Sequence, residues 1–167
     1  MKLSKDIYKM RAYELAPYLL GKILCRKRGT EIIRARITET ECYFGEDDTA
    51  CHAHKGKTPR TQTLYLGGGT AYVYLCYGIH FLLNVVSGYE GFPEAVLIRG
   101  VEGASGPGRV TKLMGIDRSL NGVSFMESEE MWIEDDGYVP SYRTDRRVGI
   151  DYADETDRER EWRFISL

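Results

Sequence analysis

No apolar run in this sequence approaches the roughly 18 residues needed by a helix that spans a bilayer. The opening Met1-Lys2-Leu3-Ser4-Lys5-Asp6 lacks the long apolar stretch of a secretory signal. Cysteine is sparse: Cys25, Cys42, Cys51 and Cys76 are scattered through strand-like segments, a pattern of reduced thiols rather than of a disulfide framework. A cytoplasmic location and no membrane partner are the expectation. Internal repeats, low-complexity tracts and linkers are missing too, so residues 1–167 are expected to form one domain, long enough to bury a core without staples. Nor is there an excess of positive charge. A net charge of −2 argues against strong nonspecific binding to nucleic acid. That total hides an asymmetry: residues 1–60 hold 13 Lys and Arg against 8 Asp and Glu, whereas residues 121–167 hold 6 against 13. The front of the chain could therefore present a basic footprint.

Along the chain, Ser4 to Leu20 carries apolar residues at near-helical spacing. Leu19 to Cys25 passes into a strand, Arg26-Lys27-Arg28-Gly29-Thr30 reads as a turn, and Glu31 to Tyr43 as the returning strand of a hairpin. Gly45 to Gly69 is a long polar loop, and such loops in compact domains are usually functional or disordered. Thr70 to Val86 predicts a second hairpin with Tyr77-Gly78 at its tip. A short strand follows over Ala95 to Arg99. Gly106-Pro107-Gly108-Arg109 opens a helix that Gly115 ends. Met131-Trp132-Ile133, Arg147-Val148-Gly149-Ile150 and Trp162-Arg163-Phe164-Ile165 complete the expected strands.

Chemistry concentrates in Ile37-Thr38-Glu39-Thr40-Glu41-Cys42-Tyr43-Phe44-Gly45. The strand period of two puts Glu39, Glu41 and Tyr43 on one face, with Thr38, Thr40 and Cys42 on the other. Two carboxylates beside an aromatic ring suit an enzyme that holds a flat ring and aims a water at it; a solvated acidic face is the plainer reading. A tyrosine at a hairpin tip is unusual, because tips favour small polar residues. Exposed, Tyr77 could act as a wedge between base steps; otherwise it folds back onto the sheet. Asn84, inside Leu82-Leu83-Asn84-Val85-Val86, needs hydrogen-bond partners, whether backbone or ligand. A regular two-residue turn at Tyr77-Gly78 pairs Tyr74 with Phe81 and separates Asn84 from Tyr74; one extra residue would unite them. The spacing of Cys42, Cys51, His52 and His54 matches no common zinc ligand set, so no metal is expected.

Taken in order, Glu39-Thr40-Glu41-Cys42-Tyr43-Phe44-Gly45, His52, Thr58-Pro59-Arg60, Tyr72-Val73-Tyr74-Leu75-Cys76-Tyr77-Gly78, Asn84-Val85, Leu97-Ile98-Arg99 and Arg147-Val148-Gly149-Ile150 resemble the alkyladenine (3-methyladenine) DNA glycosylase family. The closing Asp151-Tyr152-Ala153 and Trp162-Arg163-Phe164 are similar to that family's C-terminus. The resemblance implies an α+β fold: a single mixed domain around a curved, mostly antiparallel sheet, with a protruding hairpin that enters DNA. It implies a monofunctional enzyme of base excision repair. Such an enzyme flips a damaged purine (3-methyladenine, 7-methylguanine, hypoxanthine or ethenoadenine) out of duplex DNA and hydrolyses its N-glycosidic bond. By position, Glu41 would activate the water, and Arg99 and the Val148 carbonyl would help hold it. Tyr43, His52 and Tyr74 would sandwich the base, the backbone at Ala50 and His52 would read its edge, and Asn84 would screen it. Tyr77 and Gly78 would fill the emptied stack, with Lys57, Thr58, Arg60 and Lys112 on the DNA. The partner would be double-stranded DNA carrying a damaged purine, bound by a monomer without any cofactor. The competing reading is a non-catalytic nucleic-acid-binding module that uses the same tyrosines as stacking platforms. A small-molecule glycosidase with Glu39 and Glu41, about 7 Å apart along the strand, stands behind both.

Overall fold

A computed structural model describes all residues from Met1 to Leu167. The first expected hairpin is present as β1 (Ile23–Arg28) and β2 (Glu31–Tyr43). The other strands are β3 (Ala71–Cys76), β4 (His80–Ser87), β5 (Glu94–Val101), β6 (Ala104–Ser105), β7 (Met131–Glu134), β8 (Tyr142–Asp145) and β9 (Arg163–Ser166). They form one open sheet in the order β3-β4-β5-β2-β1-β7, with β6 on β5 and the β8-β9 pair on β2. Its pairings are antiparallel. Three short helices accompany it: α1 (Ala12–Tyr18), α2 (Pro107–Met114) and α3 (Glu155–Glu159). The architecture is α+β, as the resemblance implies. No helix is long and apolar enough to cross a membrane.

The main core lies between one face of the sheet and the first two helices. Leu15 and Ala16 of α1 and Val110 and Met114 of α2 pack with Ile37, Leu83, Val85, Val96 and Ile98. The N-terminal segment is not one continuous helix. A 3-10 turn over Ile7–Lys9 stops where Met10 turns extended, at ψ 150°, and α1 starts two residues later.

β2 changes parity along its length, and this decides where the chemistry goes. Ala35 and Ile37 point into the main core. Thr40, three residues beyond Ile37, also points inward, its hydroxyl donating to the Ala16 carbonyl at 2.7 Å. The pairing with β5 is irregular between Ile37 and Thr40: Glu39 faces Gly100 out of step, while Ile37–Val101 before it and Thr40–Ile98 after it keep one register. Gly100 stands opposite this irregularity, where a Cβ would lie 2.9 Å from Thr38 Oγ1 and 3.1 Å from Glu39 Cβ. A local irregularity of this kind lets β2 exchange its two faces without a net change of register. Without it, the parity that buries Ile37 would send Glu41 into the apolar core.

The second hairpin is corrected in register. Cys76 pairs with His80, so Tyr77, Gly78 and Ile79 all lie in the turn. Tyr74 therefore faces Leu82 rather than Phe81, and Tyr72 faces Asn84. The third turn residue is the extra one that brings Tyr74 and Asn84 to the same face. The segment 147–150 is corrected too: it is irregular, and the strand in that region is β8, over Tyr142–Asp145. Arg147 is the physical reason. Its buried guanidinium makes four hydrogen bonds: two to Asp48 at 2.6 and 3.0 Å, one to the Cys42 carbonyl at 3.0 Å and one to the Asp157 carbonyl at 3.1 Å. These tie the segment to loops instead of to a neighbouring strand. Arg147→Ala strands the Asp48 charge in the interior and is expected to cost about 3–5 kcal/mol of stability. Urea unfolding measures this, and a loss below about 1 kcal/mol would contradict the assignment.

Candidate functional site

The face of the sheet away from α1 carries a cavity of about 810 Å³, within the range of sites that hold a small organic group. Tyr43, Ala50, His52, Tyr74, Asn84, Arg99 and Val148 all line it. The residues expected to hold a base and to act on it thus share one space. Glu41 does not itself line it: fully buried, it lies directly behind Tyr43, Arg99 and Val148, which do. One carboxylate oxygen accepts the Val148 N–H at 2.8 Å, and the other accepts the Tyr43 hydroxyl at 3.0 Å. Arg99 Nη1 stands 3.9 Å from the second oxygen. Burial pushes the Glu41 carboxyl up from its ordinary value, while Arg99, the Val148 amide and the Tyr43 hydroxyl pull the other way. The result is a carboxyl group of heightened basicity with three donors turned toward it.

The contact seen at Val148 is through its amide, whereas the sequence resemblance singles out its carbonyl. Tyr43 lies between Glu41 and Arg147, whose guanidinium sits 5.0 Å from the ring centre. On another side of the cavity, His52 and Tyr74 meet at 4.4 Å between ring centres, inclined by 63°. That separation leaves no room for a third ring between them, so a bound base would lie against the pair rather than inside it. His52 Nδ1 pairs with the Tyr72 hydroxyl at 3.0 Å. Burial, then Arg60 and Lys55, lower its pKa to about 4, so the imidazole is neutral near pH 7. An NMR titration should find His52 still uncharged at pH 5.5; protonation at or above the ordinary 6.5 would contradict this arrangement.

Asn84 is buried opposite Tyr72, and its side-chain amide donates to the Tyr72 carbonyl at 3.2 Å. Both backbone groups of Ala50 already have partners: the N–H donates to Asp48 at 3.0 Å, and the carbonyl accepts the Tyr152 hydroxyl at 2.7 Å. Tyr72 and Tyr152 are pocket residues that the sequence reading passed over. The strand period links Tyr72 to Tyr74, so that signal was available. Tyr152 comes from an irregular segment, and its sequence offers no such signal.

The expected DNA contacts divide. Tyr77 is 90% exposed at the hairpin tip. Its φ of +52° makes it the one non-glycine residue in the left-handed region, a conformation that costs a bulky side chain about 1–2 kcal/mol. Gly78 follows at φ +67°. Arg60 lines the cavity, with its guanidinium 5.3 Å from the Tyr74 ring centre and a hydrogen bond to the Leu75 carbonyl at 3.4 Å. Thr58 is engaged with Thr61 in a local turn. Lys57 sits over Tyr65 at 5.7 Å, and Lys112 is exposed on α2 without lining the cavity. Arg109, at the start of α2, does line it and was missed as a site residue. No group of three or more His, Cys, Asp or Glu side chains is arranged to hold a metal ion.

Residues 6–166 match the model of the methylpurine-DNA glycosylase family. A protein of Psychrobacter cryohalolentis, provisionally named 3-methyladenine DNA glycosylase, is 43% identical over 89% of this chain and 82% of its own length. One from Methanocella arvoryzae with the same provisional name is 41% identical over 97% of this chain and 90% of its own. A third, from Borreliella burgdorferi, is 41% identical over 97% and 94%.

Proposed function

The chain belongs to the methylpurine-DNA glycosylase family, and from that membership and the cavity we propose that it is a monofunctional DNA glycosylase that removes damaged purines from duplex DNA. The observation that carries the reading is the fully buried Glu41, held by two neutral donors that themselves line an aromatic cavity. A protein that only binds nucleic acid has no use for a buried carboxylate at such a place.

In this reading the protein acts as a monomer. Tyr77 enters the duplex while the damaged nucleotide rotates out, a movement whose cost of a few kcal/mol is smallest for a base that pairs badly. The flipped purine lies with Tyr43 on one side and the Tyr74–His52 pair on the other, and Asn84 and the Ala50–Tyr152 edge meet its rim. An alkylated purine is cationic, so aromatic faces attract it beyond stacking; a neutral His52 adds no opposing charge. Such a base is already a good leaving group. What remains is to place a water at C1′ of the sugar and to take its proton. Glu41 does both, and its charge stabilises the positive charge that grows on the sugar. The C1′–N bond breaks, its electron pair leaves with the base, and the water oxygen becomes the C1′ hydroxyl of an abasic site. Arg99 orders the outer edge of Glu41. Candidate substrates are 3-methyladenine, 7-methylguanine, hypoxanthine and ethenoadenine.

The test is chromatography of the supernatant after incubation with methylated duplex DNA. Free methylated purines at a rate above the spontaneous background support the reading. Background release only, together with retained duplex binding, would favour the binding module.

A further inference from the structure

Glu39 has no part in the chemistry above, yet its carboxylate is largely buried and carries three contacts. Arg99 Nε lies 2.8 Å from one oxygen. Arg163 reaches that same oxygen through Nε at 3.2 Å and the other through Nη2 at 3.3 Å. The opposite end of the Arg99 guanidinium is 3.9 Å from Glu41, beyond hydrogen-bond distance. The four charged groups thus form a row, Glu41, Arg99, Glu39 and Arg163, in which Arg99 is drawn close to Glu39 at 2.8 Å and stands off Glu41 at 3.9 Å. Two features of the sheet set this up. Strand alternation puts Glu39 and Glu41 on one side of β2, and β9 pairs with β2 so that Arg163 lies beside Glu41 in register.

We propose that Glu39 is a positioning residue: backed by Arg163, it anchors Arg99 and holds the guanidinium short of hydrogen-bond contact with Glu41, so that the general base keeps its capacity to take a proton. The inference rests on the reading of Glu41 as that base. The other groups facing Glu41 are the Tyr43 hydroxyl from its own strand and the Val148 amide and Arg147 from the segment after β8; none of them touches Glu39. A guanidinium in full contact with a carboxylate lowers its pKa by about one to three units, and a weaker base is a slower one. Arg99 is useful at 3.9 Å and would be harmful at 2.8 Å.

The test is the pH dependence of single-turnover base release from a lesion duplex. In Glu39→Gln, Arg99 loses its charged anchor and Glu41 becomes its only carboxylate. The acid limb is expected to move down by about one pH unit, and the plateau to fall about threefold. Glu39→Asp draws the carboxylate back by one methylene and should shift the limb the same way by less. Arg163→Gln leaves the Glu39–Arg99 contact in place, so its limb should stay where it is even where melting temperature falls. In an Arg99→Gln background, Glu39→Gln should no longer move the limb. An equal shift in both backgrounds would mean that Glu39 acts through its charge alone, and would overturn the proposal. So would an unmoved limb in Glu39→Gln when the wild type is active, which leaves the glycosylase reading standing. A wild type with no base release would overturn both.

Discussion

Glu41→Gln is expected to lower single-turnover base release by about 10²–10⁴-fold while lesion-duplex affinity stays within a few fold of wild type. The geometry explains why so small a change separates the two. Glutamine keeps the shape of the side chain, and its one oxygen can accept the Val148 N–H that now meets the carboxylate at 2.8 Å. Its NH₂ then faces the Tyr43 hydroxyl, which can rotate to accept instead of donate. The cavity and its aromatic walls are therefore preserved. What is lost is the proton acceptor and the negative charge beside the reacting sugar. Because burial disfavours the charged form of Glu41, the variant should also melt no lower than the wild type at pH 7. Rates from rapid quench and affinities from anisotropy check both halves. A Glu41→Gln protein that releases base at near the wild-type rate would remove Glu41 from the mechanism. A variant that neither binds nor folds would mean that its carboxylate is structural.

Tyr77→Gly is expected to move stability and function in opposite directions. At φ +52° the tyrosine sits in a conformation that glycine adopts freely, and its ring, 90% exposed, contributes little packing. Relief of that strain should raise stability by up to about 1 kcal/mol. The same substitution removes the ring proposed to occupy the gap a flipped base leaves. Stacking of one aromatic side chain on a base is worth about 1–3 kcal/mol, so capture of a lesion duplex should weaken roughly tenfold to a hundredfold. Tyr77→Phe, which keeps the ring, should stay close to wild type. Thermal melts and duplex-binding titrations measure the pair of effects. Undiminished capture in Tyr77→Gly would show that the hairpin tip does not enter the duplex.

These two residues also show what a sequence can disclose. Glu41 was legible because its own strand alternates cleanly from Thr38 to Tyr43, and Tyr77 because a large ring beside a glycine at a turn contradicts ordinary turn chemistry. The strands of both hairpins could be read from their β-branched and aromatic residues, and Gly115 marked the end of α2. What could not be read depends on contacts between distant segments. The irregular step in β2 lies opposite Gly100, about sixty residues later in the chain, and nothing local to Thr38 announces it. The three-residue turn after Cys76 looks like a two-residue one until its register is seen. The segment at Arg147 has the apolar flanks of a strand, but a buried pair with Asp48 overrides that propensity. Tyr152 enters the cavity from the same irregular region, where periodicity carries no information. The long polar loop from Gly45 to Gly69 is ordered by short 3-10 turns and by burial of Ala50, Ala53 and Leu64, which a polar composition conceals.

The most direct measurement uses a duplex oligonucleotide with a single hypoxanthine, incubated with the protein and then treated with alkali to cut at any abasic site. The account predicts free hypoxanthine and one alkali-dependent cut at the lesion, with no cut before alkali and none in the undamaged duplex. Hypoxanthine is an uncharged base, so the same duplex also shows whether Glu41 and its water suffice without a cationic leaving group; methylated duplex run beside it supplies that charge. Intact strands from both substrates, under conditions where the protein binds them, would contradict the claim that this cavity breaks the bond between base and sugar.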